Sequence, residues 1–457
     1  MAKIGQQKKR KTKLFPLIEP NAAGIDVGAT EIYVAVPEDR APQPVRKYET
    51  FTEDLHAAAK WLRECGITSV AMESTGVYWI PVFQILESYG FTVILVNARH
   101  VKNVPGRKTD VMDCQWLQYL HAVGLLRGSY RPGQAVCAVR SLLRHRDNMV
   151  SMASTHVQHM QKSLTQMNLH LHHVISNIVG VTGLAIVEAI LAGERDPVKL
   201  AALKDRRIKA DASTIAKSLV GDYRDEHLFT LGQALEIYRH YRKQIVACDV
   251  RIEEYLRHFE SRMDPVENPL SVATSTHKQP QGNEPDFDLR LHLHRIIGVD
   301  LTRIDGISTT TAQVYLSEVG PDVGKFPTAG CFASWLGLCP NNKISGGKIL
   351  SSRTRPGAGR LAQALRMAAQ GVHNSHSYLG EYLRRMKARH GAPKALTATA
   401  HKLARIIYHL VKTGQHFDES VFAKQEDLHK KRLEHRIRNQ AKSIGFMLVA
   451  CDCSSGE

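Results

Sequence analysis

Gly24-Ile25-Asp26-Val27-Gly28, followed by Glu31-Ile32-Tyr33-Val34-Ala35-Val36, decides how this chain begins to fold. Two short β-rich runs separated by a tight turn read as successive strands. Asp26 sits among apolar β residues, where a carboxylate is costly to bury unless it is paired or metal-bound. Its flanking glycines let other groups approach the backbone closely. Further on, the spacing predicts a helix over 55–65, a strand over 68–73, a helix over 77–88 and an apolar strand over 91–96. Strands alternating with helices predict an α/β domain with a largely parallel sheet over residues 21–132. A helix starting near Thr109 and running through Trp116 and Leu120 closes it.

The period then changes. Val150, Ala153, Val157, Met160, Leu164, Met167, Leu171, Val174 and Ile178 recur at alternating spacings of three and four. Such a seam, sustained for about four heptads, predicts a coiled coil. A second seam runs through Tyr238, Tyr241, Ile245, Cys248, Ile252, Tyr255 and Phe259, so residues 133–263 read as a helical coiled-coil region. The two helices can pair within one chain or between chains, and periodicity does not choose. Residues 264–288, rich in Pro, Ser, Thr, Asn and Gln, form an expected linker or insertion. A mainly helical domain is expected over 289–417. Residues 1–20 read as a basic arm, and 418–457 as a polar, basic tail.

The chain has 457 residues, 43% of them apolar and 23% charged, the composition of an ordinary globular protein. Lys and Arg number 61 against 44 Asp and Glu, a net charge of +17, which favours a polyanionic partner such as nucleic acid. A membrane span is not expected. The longest nearly apolar run, 181–193, contains Glu188 and is too short. Lys8-Lys9-Arg10-Lys11 has no apolar region behind it, so the N-terminus is not a signal peptide. The eight cysteines lack paired C-x-x-C spacing, and they read as reduced, packed thiols of a cytoplasmic protein.

Four acids share a telling order. Asp26 is on the first strand, and Glu73 closes Val70-Ala71-Met72-Glu73 before Ser74-Thr75-Gly76. Asp110 and Asp113 stand three apart at a helix start, on one face. Singly they also read as caps and dipole partners. Together they can hold two divalent cations through hard oxygen ligands, and such a pair clamps the attacking and leaving oxygens of a phosphodiester. The layout resembles the RNase H-like fold of RuvC-type nucleases. The opening loop is also similar to the first phosphate loop of sugar kinases and actin-like ATPases, which need a second glycine-rich loop that is absent here.

In the C-terminal region, Ile304-Asp305-Gly306-Ile307-Ser308 resembles a helix-hairpin-helix turn that offers N–H groups to phosphate. Farther on stands Lys343-Ile344-Ser345-Gly346-Gly347-Lys348, read as a flexible turn that exposes its hydroxyl. From Lys343 to His376 there are six cations, Lys343, Lys348, Arg353, Arg355, Arg360 and Arg366, and no acid, a pattern that points to phosphate contacts. Arg384, Arg385, Lys387 and Arg389 extend this field. His170-Leu171-His172-His173 and His292-Leu293-His294 read as solvated helix faces rather than metal ligands.

These residues together resemble the IS110-type transposases and, more loosely, their IS1111 branch. The match rests on Gly24 to Gly28, Glu73-Ser74-Thr75-Gly76-Val77-Tyr78, Asp110-x-x-Asp113, and Leu336-Gly337-Leu338-Cys339-Pro340 through Ser345-Gly346-Gly347-Lys348. The resemblance implies a DNA recombinase with a RuvC-like domain, a coiled-coil arm and a serine-bearing transposase domain. It assigns Asp26, Glu73, Asp110 and Asp113 to Mg²⁺ and Ser345 to attack on the phosphodiester, through a covalent phosphoserine intermediate. A composite site between protomers of a homo-oligomer, and in some members an element-encoded structured guide RNA, follow from it as well. It places the protein in the bacterial or archaeal cytoplasm, at the nucleoid. Ser351-Ser352-Arg353-Thr354-Arg355-Pro356-Gly357 departs from the family pattern and makes Ser351 and Ser352 alternative nucleophiles. The rival readings are a non-catalytic nucleic-acid-binding protein on the same scaffold and an ATP-dependent sugar-kinase-like enzyme.

Overall fold

A computed structural model describes residues 16–74, 76–97, 110–264, 268–270, 283–355, 357 and 359–447. Most of the expected N-terminal arm, much of the expected linker and the Cys451/Cys453 pair lie outside these residues. The chain divides into two compact units, one ending at Arg131 and the other starting at Pro132.

The first unit is built on strands β1 (Ala22–Val27), β2 (Glu31–Ala35), β3 (Val45–Glu49), β4 (Ser69–Glu73) and β5 (Thr92–Val96). Helices α1 (Thr52–Glu64), α2 (Trp79–Ser88) and α3 (Asp110–Ala122) accompany them. The strand order is β3-β2-β1-β4-β5. The expectation of a largely parallel sheet needs correction: β1 pairs with β2 and β2 with β3 antiparallel, while β1 with β4 and β4 with β5 are parallel. The short turn after β1 permits only a hairpin. β3 escaped the sequence reading because Val-Arg-Lys-Tyr-Glu is a charged, half-exposed edge strand without an apolar run. Alternation separates the two faces of the sheet. Ile25, Val27, Ile32, Val34, Val70 and Met72 form one core with Leu55, Trp61, Leu62, Phe83 and Leu86 of α1 and α2. The other face carries Gly24, Asp26 and Ala71, and α3 packs there on β1, β2 and β4.

The second unit is helical apart from one hairpin. Helix α4 (Gln134–Gln166) leads into the short helices α5 (Leu171–Val174), α6 (Val181–Leu191), α7 (Pro197–Ala202) and α8 (Ala212–Ser218), and α9 (Asp225–Arg257) returns. The expected first seam does not continue to Ile178. Helix α4 stops at Gln166, and Asn168 turns the chain at φ +57. Met167, Leu171 and Ile178 instead join Met160 and Leu164 of α4 with Ile186, Leu200, Ile215 and Leu231 in one core. The pairing of the long helices is antiparallel and within one chain. Ser163 Oγ meets Thr230 Oγ1 at 3.0 Å, His156 stacks on Tyr241, and Arg146 binds Asp249. The Arg146–Asp249 pair is bidentate at 2.5 and 3.0 Å, and Arg146 also donates to the Asn283 carbonyl.

Helices α10 (Leu289–Ile297), α11 (Thr309–Val319) and α12 (Ala329–Trp335) precede the hairpin β6 (Lys343–Ser345) and β7 (Lys348–Ser351). After it come α13 (Arg360–Gly371), α14 (Tyr378–His390), α15 (Ala392–Thr413) and α16 (Ala423–Ser443). Phe326, Phe332, Trp335 and Tyr408 pack as an aromatic cluster, and the Tyr408 hydroxyl donates to the Phe326 carbonyl at 2.8 Å. The expected helix-hairpin-helix turn lies between α10 and α11 and packs against α13. A Cβ at Gly306 would meet the Ala368 carbonyl at 2.7 Å, so the glycine serves contact with α13. The six described cysteines are free thiols, and no described helix is long and apolar enough to cross a membrane.

Arg146 and Asp249 are 6% and 8% exposed, so losing one partner strands a buried charge. Asp249→Ala should destabilise the second unit by about 3–5 kcal/mol, whereas Arg146→Met with Asp249→Leu should recover most of the loss. Urea unfolding followed by far-UV circular dichroism checks both.

Candidate functional site

The acidic residues come together on the α3 face of the first sheet. β1 and β4 are parallel with Ile25 opposite Met72, so the next rung sets Asp26 beside Glu73 at the carboxyl ends of both strands. Helix α3 begins at Asp110, and its first turn carries Asp113. All three other carboxylates act on Asp26. Partial burial, then repulsion from Asp110, Asp113 and Glu73, pushes the Asp26 carboxyl up to about 6. The Cys114 thiol, on the next residue of α3, is held neutral at about 12 by burial and by Asp26.

One missing side chain permits this arrangement. A Cβ on Gly24 would lie 2.3 Å from both the Cys114 carbonyl oxygen and the Gln118 nitrogen, so only glycine lets α3 lie this close to β1. Around that contact, Gln118 Nε2 donates to the Ala22 carbonyl at 3.2 Å. Farther along α3, His121 Nε2 meets Ser69 Oγ at 2.7 Å. Since Ser69 donates its own proton to the Thr92 carbonyl, His121 is the donor of that bond. The backbone N–H groups of Ile18 and Glu19 both donate to the Ala122 carbonyl and close the helix end. Asp110 and Asp113 are thereby carried by a helix pinned along its length.

The donor chemistry of this cluster fits a hard divalent cation: only carboxylate oxygens, mutually repelling, with the pKa of Asp26 raised by burial and by the other three. Among the described residues no three His, Cys, Asp or Glu side chains converge tightly enough to enclose an ion. The cluster is an open one.

Ser345 lies at the tip of the hairpin in the second unit. Ser345 pairs directly with Lys348, and Gly346 and Gly347 between them have φ +54 and +74. Two positive φ values define a tight type I′ turn, so the expected turn joins the two strands of a hairpin. Its base is closed by the Pro340–Thr354 bridge and the Asn341 N–H to Arg353 carbonyl bond at 3.0 Å. Lys343, Ser345, Lys348, Arg353 and Arg355 are all exposed. Ser351 is half-buried, its Oγ accepting from the Arg353 N–H at 3.4 Å, while Ser352 is exposed.

The cation field is less uniform than the sequence implied. Arg360 forms an ion pair with Asp147 of α4 at 2.5 Å, an acid more than 200 residues away in the chain. Arg366 is half-buried on α13. Arg384 donates to the His373 and Ser375 carbonyls at 2.9 and 2.7 Å, which ties it to the fold. Arg405 of α15 was missed. Its charge, with that of Arg355, acts on Cys339 at the foot of the hairpin, and its sequence signal was the helical i, i+4 step from His401. Of the histidines expected on solvated faces, His173 is exposed, whereas His294 is only 2% exposed; the His173 ring stacks on His170 and meets His172 edge-on.

A carboxyl with a pKa of about 6 in the fold and 3.8 as its ordinary value binds its proton more tightly when folded. Its contribution to stability is present below pH 4 and lost as the pH rises through about 6. In metal-free buffer, Asp26→Asn should raise the melting temperature of the first unit at pH 8 and leave it nearly unchanged at pH 4. Gly24→Ala should cost about 1–3 kcal/mol by overpacking against α3 and should abolish any stabilisation by an added divalent cation. Thermal melts with and without the ion check this.

Residues 23–169 match a family model for IS110-type DEDD proteins, described as a transposase. Residues 300–384 match a second, described as the transposase IS116/IS110/IS902 family. The chain is also 30% identical over 150 residues to an uncharacterised 43.6 kDa protein of insertion element IS110 from Streptomyces coelicolor. That alignment spans 32% of this chain and 36% of the relative. The first match covers the acidic cluster and continues into the second unit, the second covers the serine hairpin, and the chain belongs to the IS110 family of transposases.

Proposed function

We propose that the protein is a DNA transposase that cleaves and rejoins strands with Ser345 as nucleophile, assisted by a metal-dependent acidic centre. The observation that carries this is the convergence of Asp26, Glu73, Asp110 and Asp113 on one face of a sheet ordered β3-β2-β1-β4-β5. An RNase H-like nuclease scaffold has its first acid on the first strand, as here.

Asp26, Glu73, Asp110 and Asp113 would hold Mg²⁺, one ion or two. The metal supplies polarisation of the phosphodiester and neutralises its charge. The remaining chemistry belongs to the chain. The Ser345 oxygen attacks phosphorus, its proton leaves, and the bond to one sugar oxygen breaks, giving a phosphoserine and a free sugar hydroxyl. A sugar hydroxyl of the joining strand then attacks that phosphorus, and Ser345 is restored. The tight turn presents the hydroxyl, and Lys348 directly across the hairpin offsets negative charge as the oxygen attacks. Lys343, Arg353, Arg355 and Arg366 contact phosphates. Arg360 does so only on release from Asp147.

DNA is the substrate, and the surplus of cations also suits a structured guide RNA, with base pairing choosing the target. Homo-oligomer formation is supported by Ile344, Ile349 and Leu350, three aliphatic side chains 61–70% exposed on one hairpin. The free thiols suit the cytoplasm, where nucleoid DNA lies.

Ser345→Ala should remove cleavage of supercoiled element DNA and the protein–DNA adduct, while DNA binding stays within about threefold of wild type, a difference under about 1 kcal/mol. Asp26→Ala should remove the Mg²⁺-dependent activity. Cleavage by the Ser345 variant, in a gel assay with Mg²⁺, contradicts the assignment.

A further inference from the structure

One rung of the first sheet runs straight across the acidic centre. Lys47 of β3 pairs with Tyr33 of β2, Tyr33 with Asp26 of β1, and Glu73 of β4 with Val96 of β5. The β1–β4 register sets Asp26 beside Glu73, so these side chains share one face. Neighbouring strands are about 4.8 Å apart, which puts Tyr33 one strand from the first catalytic acid.

Tyr33 has no part in the core on the opposite face, where Ile32 and Val34, its neighbours in sequence, are buried. Its ring is half-exposed, yet its orientation is fixed. The phenol donates to Glu31 Oε1 at 3.0 Å, and the other oxygen of Glu31 is ion-paired with Lys47. Glu31, Tyr33 and Lys47 therefore form a hydrogen-bonded chain on the β2–β3 side of the acidic centre. The charge of Asp110 reaches the phenol as well, which helps raise its pKa behind the larger effect of Glu31. A half-exposed aromatic face thus stands beside the cluster of acids, its orientation set by charged partners. An unpaired base offers a π-face to stack on it, whereas a duplex keeps its bases within its own stack.

We propose that Tyr33 is a stacking platform for an unpaired nucleotide of the DNA strand at the acidic centre, with Glu31 and Lys47 as positioning residues that hold its ring. The inference rests on the reading of that centre as a DNA site. It adds that the strand is locally unpaired there, and that one nucleotide beside the reacting phosphate is held by its base without regard to sequence.

The test uses the full chain, Ca²⁺ in place of Mg²⁺, and short single-stranded oligonucleotides with 2-aminopurine at successive positions. Stacking quenches that base, and anisotropy on the same samples gives affinity. At one position the wild-type protein should quench strongly. Tyr33→Ala should relieve that quench and weaken binding by about 5- to 150-fold. Tyr33→Phe should keep the quench, and circular dichroism melts confirm that each variant is folded. Glu31→Gln and Lys47→Ala should give intermediate quenching with the ring still present. Equal quenching and affinity in wild type and Tyr33→Ala overturn the proposal, as does a Tyr33→Phe protein as defective as Tyr33→Ala. Absence of oligonucleotide binding by the wild type overturns it too. Failure of the transposase reading looks different: Tyr33-dependent quenching would persist in a protein that never cuts supercoiled DNA.

Discussion

The contact between Gly24 and the backbone of α3 is the constraint on which the acidic centre depends. Two of its four carboxylates come from strands whose register is set by the sheet. The other two ride on a helix that must lie against β1 at Cys114 and Gln118 with no side chain between. Any larger residue at position 24 lifts the helix, and the acids separate. The repulsion that raises Asp26 is the counterpart of this close seating. Four like charges are pressed together by packing that does not itself need them, and the remaining anchors, Gln118 to Ala22 and His121 to Ser69, lie away from the carboxylates. Structure and electrostatics thus oppose each other at this place, as expected where a cation is to be bound.

The second unit follows a different logic. Its hairpin gains little from burial. Every residue from 341 to 350 is exposed, and its shape comes from the Gly346-Gly347 turn and a closed base. Such a projection is held from below, by the aromatic cluster around Phe332 and by α15 beneath the Cys339 corner. On the proposed reading, a nucleophile placed there meets its substrate without crossing the protein interior, and it is positioned by a two-residue turn rather than a pocket.

How much of this was readable in the sequence depended on how local each signal was. Asp26, Glu73, Asp110 and Asp113 were legible because each sits at a strand or helix end that its own neighbours define. Their convergence was legible only as an order of elements, since Gly24's role requires knowing which helix covers it. β3 was invisible because an exposed edge strand has no apolar pattern, and with β3 the row through Lys47 and Tyr33 was lost. The long helices were visible from their seams. Their antiparallel pairing and the stop at Gln166 were not, because Met167 and Leu171 keep the apolar spacing while packing in the core shared with the short helices. Arg360 read as an unopposed cation because Asp147, its partner, lies on a distant helix. Glycine pairs mark turns well, so the turn at Ser345 was expected, though not the two short strands that flank it.

A covalent intermediate on one identified serine is the central claim, and peptide mapping of the trapped adduct tests it most directly. Incubation with element DNA and Mg²⁺, denaturation, and digestion with trypsin and nuclease should yield the peptide from Ile344 to Lys348 carrying a nucleotide on Ser345. A nucleotide found instead on Ser351, Ser352 or any other residue, or strand transfer with no covalent adduct, contradicts the account.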